Sequence, residues 1–147
     1  MPRSLHFILL CLSAGWLFAA DGGVAVTDVW SRATTPGAAA AVVYLRLANR
    51  SEHTVTIQGI ETPVAARAHI HRTVADEGLT KMVPVAELSL APGEEAEFKP
   101  GGLHVMLMGL KRPLVEGSTF PVSLKLHQTP DLQIEVLVGA IGQMTAP

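Results

Sequence analysis

At 147 residues, 48% of them hydrophobic and 16% charged, the chain has room for one domain with a real apolar core and not for two. Eleven basic side chains against thirteen acidic ones give a formal charge of −2, so there is no cationic field to attract a nucleic-acid backbone, and the apolar content excludes general disorder. A single cysteine, Cys11, excludes a disulfide framework within the chain.

Residues 1–20 read as an export signal. Arg3 gives a positive start, an apolar run extends from Phe7 to about Phe18, and small residues Ala19 and Ala20 precede the polar Asp21. Cleavage is expected after Ala19 or Ala20, leaving a domain of residues 21–147. The apolar run is shorter than the ~20 residues a spanning helix needs, which argues against an uncleaved anchor. Cys11 does not fit a lipid-attachment cysteine, because Leu9 and Leu10 stand where small residues are usual. Removal of this segment takes away Arg3 and Cys11 and leaves a chain without thiols. Such a protein has no thiolate nucleophile, no dithiol redox couple and no His-Cys copper centre. Sulfur for a soft metal would have to come from methionine.

After Gly22 the pattern is one of short apolar or alternating runs separated by turn residues. Strands are expected at residues 24–30, 39–48, 53–58, 66–73, 81–85, 87–90, 95–99, 104–110, 118–127 and 133–138. Asp76-Glu77-Gly78, Ala91-Pro92-Gly93, Pro100-Gly101-Gly102 and Thr129-Pro130-Asp131 punctuate them. No segment carries a helical period of useful length, so the fold class is all-β, a sandwich or barrel. Glu94, Glu95 and Glu97 read as a solvated turn and strand edge.

The segment Leu103-His104-Val105-Met106-Leu107-Met108 holds the first chemical signal. Side chains alternate along a strand, so His104, Met106 and Met108 share one face. Successive same-face Cα atoms stand roughly 6.6 Å apart, a gap one metal ion can bridge with an imidazole and a flexible thioether. Upstream, His69 and His71 also share a face, and the Asp76-Glu77-Gly78 turn returns Met82 towards the end of the strand carrying His71. The competing reading is that these methionines only fill core gaps, as methionine usually does. A histidine among them is harder to explain that way, since both ring nitrogens need a partner. If the two places meet, His71, Met82, His104 and Met106 form a site of two imidazoles and two thioethers. Neutral soft sulfur binds Mg²⁺ or Ca²⁺ poorly and suits Cu(I), whereas Zn²⁺ usually takes thiolate, imidazole or carboxylate.

These residues resemble the motif of the PCuAC family of periplasmic copper chaperones: His, ten residues, Met, twenty-one residues, His, one residue, Met. His71, Met82, His104 and Met106 reproduce every interval. Trp30-Ser31-Arg32-Ala33 before Pro36-Gly37, the run Ala41–Asn49 and the run Gly102–Leu110 are similar to family segments as well. The resemblance implies a cupredoxin-like Greek-key β-sandwich or barrel that binds Cu(I) through the four matching residues. It implies a periplasmic carrier, not an enzyme, that passes copper to the CuA centre of cytochrome c oxidase subunit II or to another copper chaperone. Some family members carry a His/Met-rich tail that binds further copper, but this C-terminus offers only Met144.

Two other functions compete with that expectation. One is general copper storage or tolerance, and the other is a metal-free β-sandwich interaction module. A copper-dependent oxidase ranks behind both, since Asp28, Glu61 and Asp131 are scattered and no acid–base pair or nucleophile elbow is present. His69 is expected to be a partly exposed histidine and Met108 to pack beneath the site. His53 and His127 are expected to be solvated, and Trp30 to belong to the core.

Overall fold

The computed structural model describes residues 23–147, so the export segment with Arg3 and Cys11 lies outside the described residues. Ten strands follow in order: β1 (Val24–Arg32), β2 (Ala40–Asn49), β3 (Val55–Glu61), β4 (Ala65–Asp76), β5 (Leu79–Val85), β6 (Leu88–Leu90), β7 (Glu95–Phe98), β8 (Leu103–Leu110), β9 (Thr119–Leu126) and β10 (Leu132–Gly139). Each matches a strand expected from the sequence, with ends that coincide or are displaced by at most three residues. His53 is the clearest displacement: it belongs to the turn before β3, where Asn49 Nδ2 donates to its carbonyl at 2.7 Å. Among the described residues no helix is long and apolar enough to cross a membrane.

The strands are hydrogen-bonded in the order β5-β4-β8-β7-β2-β1-β10-β9-β3-β6, and a further pairing joins β3 to β4 through Ile60 and Ala68. That pairing closes eight strands into a barrel, the all-β sandwich/barrel class expected. Closure removes sheet edges that would otherwise expose unpaired backbone groups. β5 and β6 are left outside the ring. Because β5 pairs with β4 alone among the described residues, it is an outer strand standing beside the barrel wall.

Alternation explains the interior. On β2, Ala41, Val43, Leu45 and Leu47 are buried; on β9, Phe120, Val122, Leu124 and Leu126 are. Val105 and Leu107 of β8 and Ala68 and Ile70 of β4 meet them inside. Each fully buried aliphatic or aromatic side chain contributes about 1.5–3 kcal/mol relative to exposure. Strand period then dictates that His69 and His71, and His104, Met106 and Met108, face outward from the same wall.

On β1 an irregularity between Thr27 and Trp30, with Asp28 at φ 52°, brings Trp30 opposite Tyr44. The two rings pack at 4.8 Å between centroids, and Trp30 is buried, as expected of a core residue. β1 is separated from β8 by β2, so Trp30 belongs to a neighbouring part of the wall and not to the β4–β8 ladder.

Candidate metal centre

The hairpin β4–β5 turns through Glu77 at φ 48° and Gly78 at φ 79°, with Asp76 paired to Leu79. Two central residues at positive φ are the signature of a type I′ turn, whose twist matches that of the flanking strands. The turn fixes the register: Thr73 lies opposite Met82, and His71 lies opposite Pro84. Lys81 and Asp76 pair across the tip, although an exposed ion pair adds little stability.

On the other side of β4, β8 runs antiparallel with His71 directly opposite His104 and His69 directly opposite Met106. His71 is therefore the hub of the arrangement. It faces His104 squarely and has Met106 on one diagonal and Met82 on the other. Diagonal neighbours in a sheet lie about 7–8 Å apart, within reach of long side chains. The sequence expectation that two distant places meet on one face is met at the level of register.

The two imidazoles have ring centroids 5.9 Å apart, with planes inclined by 46°. Nδ1 of His104 lies 3.1 Å from the carbonyl oxygen of Gly102. A carbonyl only accepts, so Nδ1 is the donor and carries the proton, and Nε2 is left with its lone pair. That Nε2 is buried and has no hydrogen-bond partner among the described residues, and the same is true of Nδ1 of His71. His104 is only 3% exposed. Buried polar atoms are nearly always paired, so two orphaned nitrogens on residues directly opposite each other in one ladder call for an explanation. Burial is the main cause that holds the His71 imidazole below its ordinary pKa, with further depression by the charges His104 and His69 would carry. The neutral form, which has a free lone pair, is favoured as a result.

Met82 on β5 is 57% exposed, whereas Met106 on β8 is half-buried. The four residues thus run from a buried imidazole to a thioether open to solvent. His69 is exposed on the same face, and Met108 is half-buried opposite Ala40 and Arg67. His127 is exposed and contacts Gln58 Oε1 at 3.2 Å, in keeping with a solvated role. The Glu94–Glu97 stretch makes surface contacts: Glu94 accepts from the Ala91 amide, and Glu97 pairs with Arg46 and Lys99.

The carbonyl of Gly102 contributes to the site without leaving a mark in the side-chain pattern. The double glycine before His104 reads in sequence as a flexible bend. In the structure the carbonyl of Gly102 accepts both the Thr73 amide, at 3.1 Å, and the His104 ring. It is therefore the group that selects the His104 tautomer. No side-chain pattern marks the direction of a carbonyl, although Gly101 at φ 79° shows why glycine is needed beside it.

Residues 24–138 match the family described as "Putative lipoprotein LpqE-like". The chain belongs to the LpqE-like family. The Leifsonia xyli subsp. xyli protein described as "Putative lipoprotein Lxx21020" is 32% identical over 104 residues, which span 70% of this chain and 61% of that protein. Protein RP573 of Rickettsia prowazekii is 30% identical over 127 residues, spanning 84% and 70% of the two chains. Among solved structures, apo-DR1885 of Deinococcus radiodurans is 28% identical with a TM-score of 0.64, over 97% of both chains. Its Cu(I) form is 27% identical with a TM-score of 0.60, over 88% of this chain and 85% of that one. A copper-bound PCuAC domain from PmoF2 is 20% identical with a TM-score of 0.70, over 83% of this chain and 97% of that one. The resemblance to PCuAC domains read from the His/Met spacing thus extends to the whole fold of this LpqE-like chain.

Proposed function

We propose that this chain is an exported copper-binding chaperone domain that carries Cu(I) on His71, Met82, His104 and Met106. The observation behind this reading is the pair of buried, unpartnered nitrogens on facing imidazoles, flanked diagonally by two thioethers. Copper-bound forms of the similar DR1885 and PmoF2 domains support it. Cu(I) is d¹⁰ and soft and tolerates low coordination numbers, so imidazole and thioether suffice without thiolate. A thiol-free set also avoids conversion to a disulfide in an oxidising compartment.

The gradient of exposure suggests how cargo leaves. The buried His104, with its tautomer set by Gly102, is the anchoring ligand, and the open Met82 thioether is the first to be displaced by an incoming donor. Release then proceeds one bond at a time, with the ion held throughout, towards an acceptor with stronger ligands. The CuA centre of cytochrome c oxidase subunit II, or another copper chaperone, fits that description. Such a carrier transfers an ion and needs no catalytic group. In this reading residues 1–20 are removed on export to the periplasm and 21–147 form the working domain.

Anaerobic Cu(I) titration against a colorimetric chelator tests the proposal. It predicts one ion per chain, with at least a tenfold loss of affinity in Met82→Leu and a larger loss in His104→Ala. Equal competition by wild type and both variants would leave a packing module with no metal role.

A further inference from the structure

His69 and Met108 are not needed by the four-ligand site, yet they continue its pattern on the same face. His71 on β4 has a donor directly opposite on β8, His104, and a thioether on the diagonal, Met106. Two residues along, His69 has a donor directly opposite, Met106, and a thioether on the diagonal, Met108. The two groupings are the same motif shifted by one strand repeat, and Met106 belongs to both.

Resting on the copper reading above, we propose that His69, Met106 and Met108 form a second Cu(I) station, through which the ion passes on its way into or out of the main site. Directly opposed residues in an antiparallel pair have Cβ atoms about 4.5–5.5 Å apart, so the His69 ring and the Met106 sulfur can share an ion. Met108 follows Met106 by about 6.6 Å along the strand, within the span of two flexible thioethers bound to one centre. Met108 itself stands between Ala40 on β2, a small neighbour, and Arg67 on β4. One imidazole and two thioethers make a soft, neutral, three-donor set suited to Cu(I).

The step between stations is a ligand exchange without change of oxidation state. Met106 sulfur stays bound to Cu(I) while the His69 nitrogen and Met108 sulfur form bonds to it. The bonds to His71, His104 and Met82 break, and their donor atoms keep their lone pairs. Met82 lies on the hairpin-tip side of His71 and Met108 on the opposite side, so the wall offers a row of donors with the buried His104 near its middle. Because His69 is exposed, the second station faces solvent and is open to a partner's ligand.

The sharing of Met106 makes the stations alternatives for a single ion, and the test is therefore kinetic. Protein loaded with one Cu(I) under nitrogen is mixed with excess bicinchoninate in a stopped-flow instrument, and affinity is measured separately by competition. His69→Ala and Met108→Leu are expected to keep the affinity within about twofold of wild type and to slow transfer at least about fivefold. Met108→Leu conserves volume and packing. Control variant His127→Ala should transfer at the wild-type rate. Unchanged rates in both test variants would overturn the station while leaving the four-ligand site intact. A tenfold loss of affinity in His69→Ala would overturn it too, by making His69 a ligand of the resting site. Wild-type protein that retains no Cu(I) against the chelator would remove the main site and the station together.

Discussion

His71 and His104 stand directly opposite each other on antiparallel strands, each with a buried ring nitrogen that has no hydrogen-bond partner among the described residues. Such an arrangement is a burden on the metal-free fold. An unsatisfied buried polar atom costs about 1–3 kcal/mol, more than one ordinary hydrogen bond returns. Under the proposed Cu(I) reading, metal binding would relieve that cost by giving the nitrogens a partner.

That burden can be measured at His104. In His104→Leu the orphaned Nε2 disappears, and the Gly102 carbonyl keeps its bond from the Thr73 amide. The metal-free variant is expected to be about 1 kcal/mol more stable than wild type by urea unfolding. With Cu(I) present the order should reverse, because only wild type gains the stabilisation that follows from binding the native state. A metal-free variant clearly less stable than wild type would mean that the nitrogen is satisfied in solution.

Methionine oxidation gives a footprint of the open ligand. Met82 and Met144 are similarly exposed, at 57% and 62%. Dilute peroxide should therefore convert both to sulfoxide at comparable rates in the metal-free protein. One equivalent of Cu(I) bound anaerobically, followed by brief oxidant exposure, should protect Met82 by about tenfold and leave Met144 unprotected. Peptide mass spectrometry reads both sites in one sample. Equal protection of the two, or of neither, would exclude Met82 as the solvent-side ligand.

The depressed pKa of His71 has a definite sign in metal-free stability. Its folded value lies below the unfolded imidazole value of ~6.5, chiefly through burial and then through repulsion from His104 and His69. On acidification the unfolded chain therefore takes up this proton first. The contribution of neutral His71 is complete above pH ~6.5 and is lost as pH falls through the lower folded value. Urea midpoints measured from pH 8 to pH 5 should fall more steeply below pH ~6.5 for wild type than for His71→Asn. Parallel curves would mean that His71 is solvated and free to protonate.

Much of this architecture is legible in the sequence because strand period is a local property. Alternation in Ala41–Leu47 and Phe120–Leu126 gives the strands and the inward faces, and it puts His104 and Met106 on one side without knowledge of the fold. The meeting of β4 with β8 is different. These strands are far apart in the chain, and their register is set by barrel closure through Ile60 and Ala68 and by β8 pairing with β2. Interval matching to the PCuAC motif supplied that long-range pairing where local physics had no access to it. The tautomer of His104 stayed hidden because it depends on the carbonyl of Gly102, which has no side chain to read. The barrel seam and the outer position of β5 were equally out of reach, being properties of hydrogen-bond order and not of composition.

The turn that returns β5 beside β4 offers a last test that separates stability from geometry. Gly78 sits at φ 79° with nothing within 4 Å of the position a Cβ would occupy, so substitution there meets conformational strain and no steric clash. Left-handed backbone costs a residue with a Cβ about 1–2 kcal/mol, and asparagine adopts it more readily than alanine. Gly78→Ala is therefore expected to destabilise the hairpin by about 1 kcal/mol, and Gly78→Asn by less. Strain relieved by shifting the turn would move Met82 away from its place opposite Thr73 and weaken Cu(I) binding. The expected order of affinity in chelator competition is wild type, then Gly78→Asn, then Gly78→Ala, although none of these changes touches a donor atom. Full Cu(I) affinity in Gly78→Ala together with a clear loss of stability would mean that the register of β5 is held by its ladder with β4 and not by the turn.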